Sequence, residues 1–327
     1  MAGLVIPERL DRVMAEGTPA RQLGERFAAA GRQLYLVGGS VRDAFLDTVT
    51  NDLDFTTDAR PEETVEILED WASSVFRVGE QFGTIGVVHD GIAYEITTFR
   101  SDVYREDSRK PVVAFSDDIE TDLSRRDFTV NAMAIRIPRA SGDEPEMVDP
   151  FNGLADLAAR SIRTPLDPEV SFGDDPLRML RLFRFVSTLG FAPDAAAAGA
   201  VAAMRQRLSV ISAERIRDEL SKLLVGSNVA DGLWGLLHPG LAGEFLPELT
   251  ALELEQDPHH HHKDVLAHTV AVVANTSPIE TLRLAALFHD VGKPATREFG
   301  PQGVSFHHHE VVGARMTRER MLSLIHI

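Results

Sequence analysis

Hydrophobic and polar positions change period along the chain, and the changes mark its organisation. Residues 4–30 show helical spacing and predict one or two amphipathic helices packed beneath a sheet. The short apolar run Gln33-Leu34-Tyr35-Leu36-Val37 ends in Gly38-Gly39-Ser40, and 41–46 read as helix, so the order is strand, turn, helix. Asp52-Leu53-Asp54-Phe55 has strand character. Arg60-Pro61-Glu62-Glu63 begins a helix through Asp70, with proline near its first turn. Strands are predicted at 75–78, 84–88 and 92–97, the last two joined by the hairpin signal His89-Asp90-Gly91. From Ser101 to Asp118 the chain is charged, turn-rich and aperiodic, which predicts a lid or flexible loop.

Beyond this point the pattern is helical. Ser171-Phe172-Gly173-Asp174-Asp175-Pro176-Leu177-Arg178 opens a helix to about Leu189, in which Met179, Leu182, Phe183 and Val186 form one apolar face. Arg178, Arg181 and Arg184 fall on the other side with Leu177 and Leu180 among them. A second layer is therefore expected to cover these arginines, and covered guanidiniums need partners, which phosphate or nucleotide would supply. Ile211-Ser212-Ala213-Glu214-Arg215-Ile216-Arg217-Asp218-Glu219-Leu220 reads as a serine-capped structural helix. Residues 226–257 read as helical with Trp234 in the core, and further helices are expected at 265–274 and 282–288.

Composition narrows the class. A chain of 327 residues, 44% hydrophobic, can bury more than one core, which sets an expectation of two or three domains. The absence of cysteine excludes disulfides and cysteine–zinc sites and fits the cytoplasm. No stretch reads as a signal peptide or a membrane span, so no membrane partner is expected. Lys and Arg number 33 against 50 Asp and Glu, a net charge of −17, which argues against a surface that coats nucleic acid. Any RNA contact must be local, and residues 160–222, with ten basic and eight acidic side chains, are the mildly positive segment.

Chemistry concentrates between Leu36 and Phe55. A glycine turn between strand and helix presents backbone N–H groups to an anion such as a triphosphate. On the next strand, Asp52 and Asp54 project from one face and can hold Mg²⁺. Each feature alone is an ordinary turn or a solvated strand end; their proximity is what raises them. Glu95, between Tyr94 and Ile96, either faces the pair as a third metal carboxylate or faces solvent. Arg125, Arg126 and Asp127 could pair as a plain salt bridge. Asp175 before Pro176 suits a helix N-cap. Asp175 and Arg178, three apart, also set an acceptor beside a donor, which complements the amine and ring nitrogen of cytosine and adenine and not the reverse order of uracil and guanine.

Gly38-Gly39-Ser40-Val41-Arg42-Asp43 followed by Asn51-Asp52-Leu53-Asp54-Phe55 resembles the signature of the polymerase-beta-like nucleotidyltransferases, specifically the class II tRNA CCA-adding enzymes and bacterial poly(A) polymerases. Arg125-Arg126-Asp127-Phe128-Thr129-Val130-Asn131-Ala132 resembles a further motif of that family, and Asp174-Asp175-Pro176-Leu177-Arg178 resembles its base-reading motif. The resemblance implies an α+β fold: a nucleotidyltransferase head over 1–150, a helical neck and body with the base-reading helix and RNA-binding surface over 151–257, and a partial HD-type domain over 258–327. It implies catalytic Asp52 and Asp54 with two Mg²⁺ ions, beside which Glu95 stays the candidate third carboxylate. Nucleotide binding would fall to Gly38, Gly39, Ser40, Arg42, Arg126, Asp127, Asn131, Asp175, Arg178 and Arg181. The implied partners are the tRNA 3′ end, CTP and ATP; poly(A), CC-only or A-only addition is the alternative.

The end of the chain is rich in histidine. His259 to His262 form an internal run, expected to be exposed. His268, His289-Asp290 and His309 resemble an HD phosphohydrolase site, suited to Mn²⁺, Ni²⁺ or Zn²⁺. If this is the working part, the chain reads instead as a metal phosphohydrolase with a degenerate head. HD sites add a later aspartate, whereas this sequence stops at an apolar Leu322-Ser323-Leu324-Ile325-His326-Ile327, so a truncated HD region is expected.

Overall fold

The computed structural model describes residues 6–48, 53–103, 112–254, 265–300 and 303–324. Its contacts divide the chain into two units, 1–159 with 163–167, and 160–162 with 168–327.

The first unit is built on a mixed sheet. Across the sheet the strands run Ser74–Phe76, Thr84–His89, Ile92–Thr98, Asp54–Thr57, Leu34–Val37, Ala134–Arg136 and Glu146–Val148. Only Asp54–Thr57 and Ile92–Thr98 pair in parallel; the other neighbours are antiparallel. Alternation along the strands sends Leu34, Leu36, Phe55, Ile85, Val87, Tyr94, Ile96 and Ile135 to one face, where they pack with Leu10, Leu23, Phe27 and Leu68 from the helices and Trp71 from the turn after the last of them. Those helices are Glu8–Val13, Pro19–Ala29 and Pro61–Leu68. Thr18 accepts from the Arg21 N–H to start the second, and Glu63 accepts from the Arg60 N–H to start the third. At the Asp90-Gly91 hairpin both φ angles are positive, as a two-residue turn matching strand twist requires.

The opposite face is half covered. Tyr35, Val37 and Ala134 pack against Phe99, Leu123 and Ala132, and the helix Ile119–Ser124, capped by Asp118, lies in this layer. Ser74, Phe76, Ala93 and Glu95 on the outer strands remain exposed. The expected flexible loop at Ser101 to Asp118 is corrected: Arg100–Val103 and Val112–Phe115 form an antiparallel hairpin, with 104–111 outside the described residues. Arg100-Ser101-Asp102-Val103 is mostly polar and Val112-Val113-Ala114-Phe115 wholly apolar, so neither strand shows an alternation to read in the sequence.

The second unit is helical. Leu177–Leu189 packs against Ala213–Leu224 and Val229–Leu237. The helix expected to open at Ser171 is two: Pro168–Asp174 ends before Pro176, and the long helix begins at Leu177. Both Leu177 and Leu180 are buried, as the expected second layer requires. Ser212 sits at the N-cap position of its helix without a side-chain capping bond. Trp234, expected in the core, is only half-buried and stacks on His238. Beyond it run Val265–Asn275, Glu280–Phe288 and His309–Leu324. Buried Arg283 donates to the carbonyls of Leu224, Gly226 and Thr276, tying the Glu280–Phe288 helix to the end of the Ala213–Leu224 helix.

Candidate active site

Leu34–Val37 delivers the chain to Gly38, whose φ of 76° places it where a side chain would be strained. A Cβ there would also stand 3.2 Å from an Arg126 guanidinium nitrogen, and one on Gly39 would stand 3.5 Å from Arg42. The glycine turn therefore lies under two guanidiniums, one from the next helix and one from 126. Ser40 is buried, and its hydroxyl donates to the Val37 carbonyl at 2.9 Å. That hydroxyl braces the turn; only the backbone of Ser40 remains for a ligand.

A chain of bonds fixes these groups. Arg42 donates to Asp43 at 2.8 Å and to the Asn131 side-chain oxygen at 2.6 Å. Asn131 in turn donates to Asp127 at 2.9 Å, and the Phe128 N–H donates to the same Asp127 oxygen at 2.8 Å. Residues 42, 127 and 131, expected together at a nucleotide, are thus brought into one network. Arg126 donates to Asp122 at 3.1 Å, and Arg125 reaches the other Asp122 oxygen at 2.7 Å. The arginines pair with Asp122 rather than Asp127, a partner that no motif in the sequence singles out. Asp122 has no exposed surface, and its pKa is nevertheless lowered: burial pushes it up, but the charges and hydrogen bonds of Arg125 and Arg126 outweigh that push.

Asp54 opens the strand beside this turn, directly opposite Val37, while its other neighbour in register is Glu95 on the parallel strand. Registered neighbours share a sheet face, so Glu95 and Asp54 project together and the solvent-only reading of Glu95 is set aside. Asp52 lies outside the described residues. Two acids beside an arginine-covered glycine turn offer hard oxygen ligands for a divalent cation next to donors for phosphate.

In the second unit, the base-reading candidates lie together at the start of the long helix. Asp175 accepts from the Leu177 N–H at 3.1 Å and from Arg215 at 2.9 Å. Arg178, buried, donates to the Ser171 hydroxyl at 2.9 Å. Acceptor and donor share one end of the helix, each with its own protein partner, and Arg215 joins them from a helix expected to be purely structural. The expectation that covered arginines need phosphate is corrected for Arg181 and Arg184. Both face buried Glu219, with Arg184 at 2.6 Å and Arg181 at 3.9 Å.

The histidine-rich end assembles around Asp290, which is 3% exposed. One of its oxygens lies 3.1 Å from His289, 4.0 Å from His268 and 2.7 Å from Lys293; the other lies 3.8 Å from His309. His289 and His309 each set Nδ1 against a backbone carbonyl, of Ala286 and Phe306, which turns Nε2 toward Asp290. His268, His289 and Asp290 have ligand atoms close enough to hold one metal ion. Burial pushes Asp290 up, yet hydrogen bonds from His289 and Lys293 hold its pKa down at about 2, and the bond to Asp290 raises that of His289. Lys293 is absent from the expected cluster; its spacing of three from Asp290 on one helical turn is the signal that points to it. The run 259–262 lies outside the described residues.

A head built on a mixed sheet is followed along the chain by a helical body. Residues 34–163 match the Poly A polymerase head domain, 190–253 the probable RNA and SrmB-binding site of polymerase A, and 259–326 the HD domain. A CCA-adding enzyme of Geobacillus sp. (strain WCH70) is 40% identical over 226 residues, 69% of this chain and 53% of its own length. One from Streptococcus gordonii is 39% identical over 251 residues, 76% of this chain and 60% of its own. The crystal structure of the Bacillus stearothermophilus CCA-adding enzyme in complex with CTP superposes with a TM-score of 0.67 at 30% identity, covering 93% of this chain and 69% of that one. By these likenesses the chain belongs to the CCA-adding enzyme family. It spans about half the length of the curated relatives it matches.

Proposed function

We propose that this chain is a template-independent nucleotidyltransferase that adds C, C and A to the 3′ end of tRNA from CTP and ATP. One observation carries the reading: Asp54 and Glu95 stand in register on one sheet face, beside a glycine turn lying under Arg42 and Arg126. Relatives at about this identity are CCA-adding enzymes, and solved members of the family are complexes with CTP, with ATP and with tRNA. The cytoplasm, where those substrates are found, is the compartment this reading supports.

Gly38, Gly39 and the backbone of Ser40 receive the triphosphate, Arg42 and Arg126 neutralise it, and Asp127 with Asn131 hold the ribose. The bond from the RNA 3′-oxygen to the α-phosphorus forms as the bond to the bridging oxygen breaks; pyrophosphate leaves, and the hydroxyl proton passes to water. Asp52, Asp54 and Glu95 would hold Mg²⁺, which supplies charge neutralisation and a more acidic acceptor hydroxyl when bound. Asp175 and Arg178 read the base edge, with Arg215 and Ser171 holding them until a base takes over those bonds. A base with the opposite donor and acceptor order leaves both groups unmatched, which is the source of discrimination.

The test is extension of a tRNA lacking its CCA end with each nucleoside triphosphate in turn. Incorporation of C and then A, with U and G refused, is expected from the intact chain. Asp54→Asn abolishes incorporation without lowering the melting temperature, and Asp175→Ala degrades base choice. A chain that adds A alone is a poly(A) or A-adding enzyme, and an active Asp54→Asn variant overturns the assignment of the site.

A further inference from the structure

One row of registered residues crosses the sheet at the acids. Phe76 pairs with Gly86, Gly86 with Glu95, Glu95 with Asp54, and Asp54 with Val37. Registered residues share a face, so Phe76 stands on the face of the acids. A Cβ built on Gly86 would lie 3.6 Å from the Cβ of Phe76 and 3.9 Å from its ring, which places that ring at the edge of the bare glycine. Phe76 is 52% exposed, and its neighbours on this face, Ser74 and Ala93, are exposed and small. A half-exposed phenylalanine beside a side-chain-free floor, in line with two carboxylates, is not explained by packing. The larger core of this unit lies on the other face, and the smaller cluster on this face, around Tyr35, Val37 and Phe99, does not include Phe76.

The position of this row bears on the transferase reaction proposed for the head, and the role of Phe76 rests on that reading. In-line displacement puts the attacking oxygen and the departing pyrophosphate on opposite sides of the α-phosphorus. The glycine turn and its arginines lie on the Val37 side of Asp54, so the acceptor hydroxyl must arrive from the other side, across Glu95, Gly86 and Phe76. Phe76 is two strands from Glu95, about 10 Å at the usual interstrand spacing. That is a suitable distance for a base at or next to the acceptor terminus. Stacking on an aromatic ring is indifferent to base identity, and a CCA-adding site meets a new terminal base after every step.

We propose that Phe76 is a positioning residue for the acceptor RNA, its ring stacking a base of the single-stranded 3′ end over the floor left by Gly86. The occupant is RNA rather than a protein partner because the row ends at the acids that act on the RNA hydroxyl.

The experiment compares the full chain with Phe76→Leu, which keeps apolar bulk without a π face, and Phe76→Tyr, which keeps the ring. Acceptor tRNA carries 2-aminopurine at its 3′-terminal position. The intact chain and Phe76→Tyr are expected to quench its fluorescence on binding, and Phe76→Leu is not. Phe76→Leu raises the KM for acceptor about fivefold, the lower end of one base–aromatic stack, and leaves the KM for CTP and the melting temperature unchanged. Equal quenching and equal acceptor KM in all three proteins overturn the inference while the transferase reading stands. An intact chain that extends no RNA removes the transferase reading itself, and the inference with it.

Discussion

Asp122 has no exposed surface in the fold, and it is kept charged chiefly by Arg125 and Arg126 on its two oxygens, with the Thr56 hydroxyl and the Arg100 N–H as longer donors. Its pKa is lower in the folded chain than in the unfolded one. The stability this contributes is therefore present above the unfolded value, near pH 4, and is lost as pH falls through the folded value. Asp122→Asn is expected to cost about 3 kcal/mol at neutral pH, because it leaves two partly covered guanidiniums without their counter-charge. Melting curves from pH 3 to 7 check this: the gap between the two proteins should close toward the acid end, and a gap independent of pH would count against a charged Asp122. The sequence displays Arg126, Asp127 and Asn131 because they fall in one short motif. Asp122 is equally visible in that stretch, but its role depends on a helical spacing of three and four to the arginines, a relation that only the Ile119–Ser124 helix makes physical.

Among elements, those with a strong period and a chemical boundary are legible in the sequence. The strand–turn–helix at Gly38, the Asp90-Gly91 hairpin and the long helix ending at Leu189 all stand where the hydrophobic pattern puts them. The hairpin formed by Arg100–Val103 and Val112–Phe115 is not legible, since one strand is mostly polar and the other apolar throughout, and neither alternates. Pairing between elements is also hidden: the arginine stripe of Leu177–Leu189 announces a need for anions, and Glu219 of Ala213–Leu224 meets it. Glu219 is nearly buried, so Glu219→Ala is expected to destabilise the chain by about 3 kcal/mol in denaturant unfolding. In double-mutant cycles the coupling to Arg184, at 2.6 Å, should exceed that to Arg181, at 3.9 Å. Equal couplings would mean that the stripe acts as a diffuse charge and not through a specific pair.

At the scale of the whole molecule, an acidic chain with a net charge of −17 carries two clusters that suit different metals. The metal-ligating groups beside the glycine turn are carboxylates, whereas imidazoles gather on Asp290, so hard and borderline cations are sorted by donor type. At Asp290 protons, Lys293 and a metal compete for the same oxygens. The raised pKa of His289 means that its pairing with Asp290 contributes stability fully below the unfolded histidine value, near pH 6.5, and that this is lost as pH rises through the folded value. Metal binding needs neutral imidazole and runs the other way, strengthening as pH rises. Mn²⁺ at a hundredfold excess over its Kd should therefore stabilise the chain by about 2.7 kcal/mol at alkaline pH and less as the pH falls, with chelator reversing the gain. Thermal unfolding of the intact chain and of Asp290→Ala, with and without Mn²⁺, reads this directly. Because His259 to His262 offer imidazoles of their own, and the carboxylates beside the glycine turn can also take Mn²⁺, a shift that survives Asp290→Ala would assign the metal to one of those two places and not to the cluster. A shift confined to the intact chain, growing with pH, would assign it to His268, His289, Asp290 and His309, with Lys293 displaced.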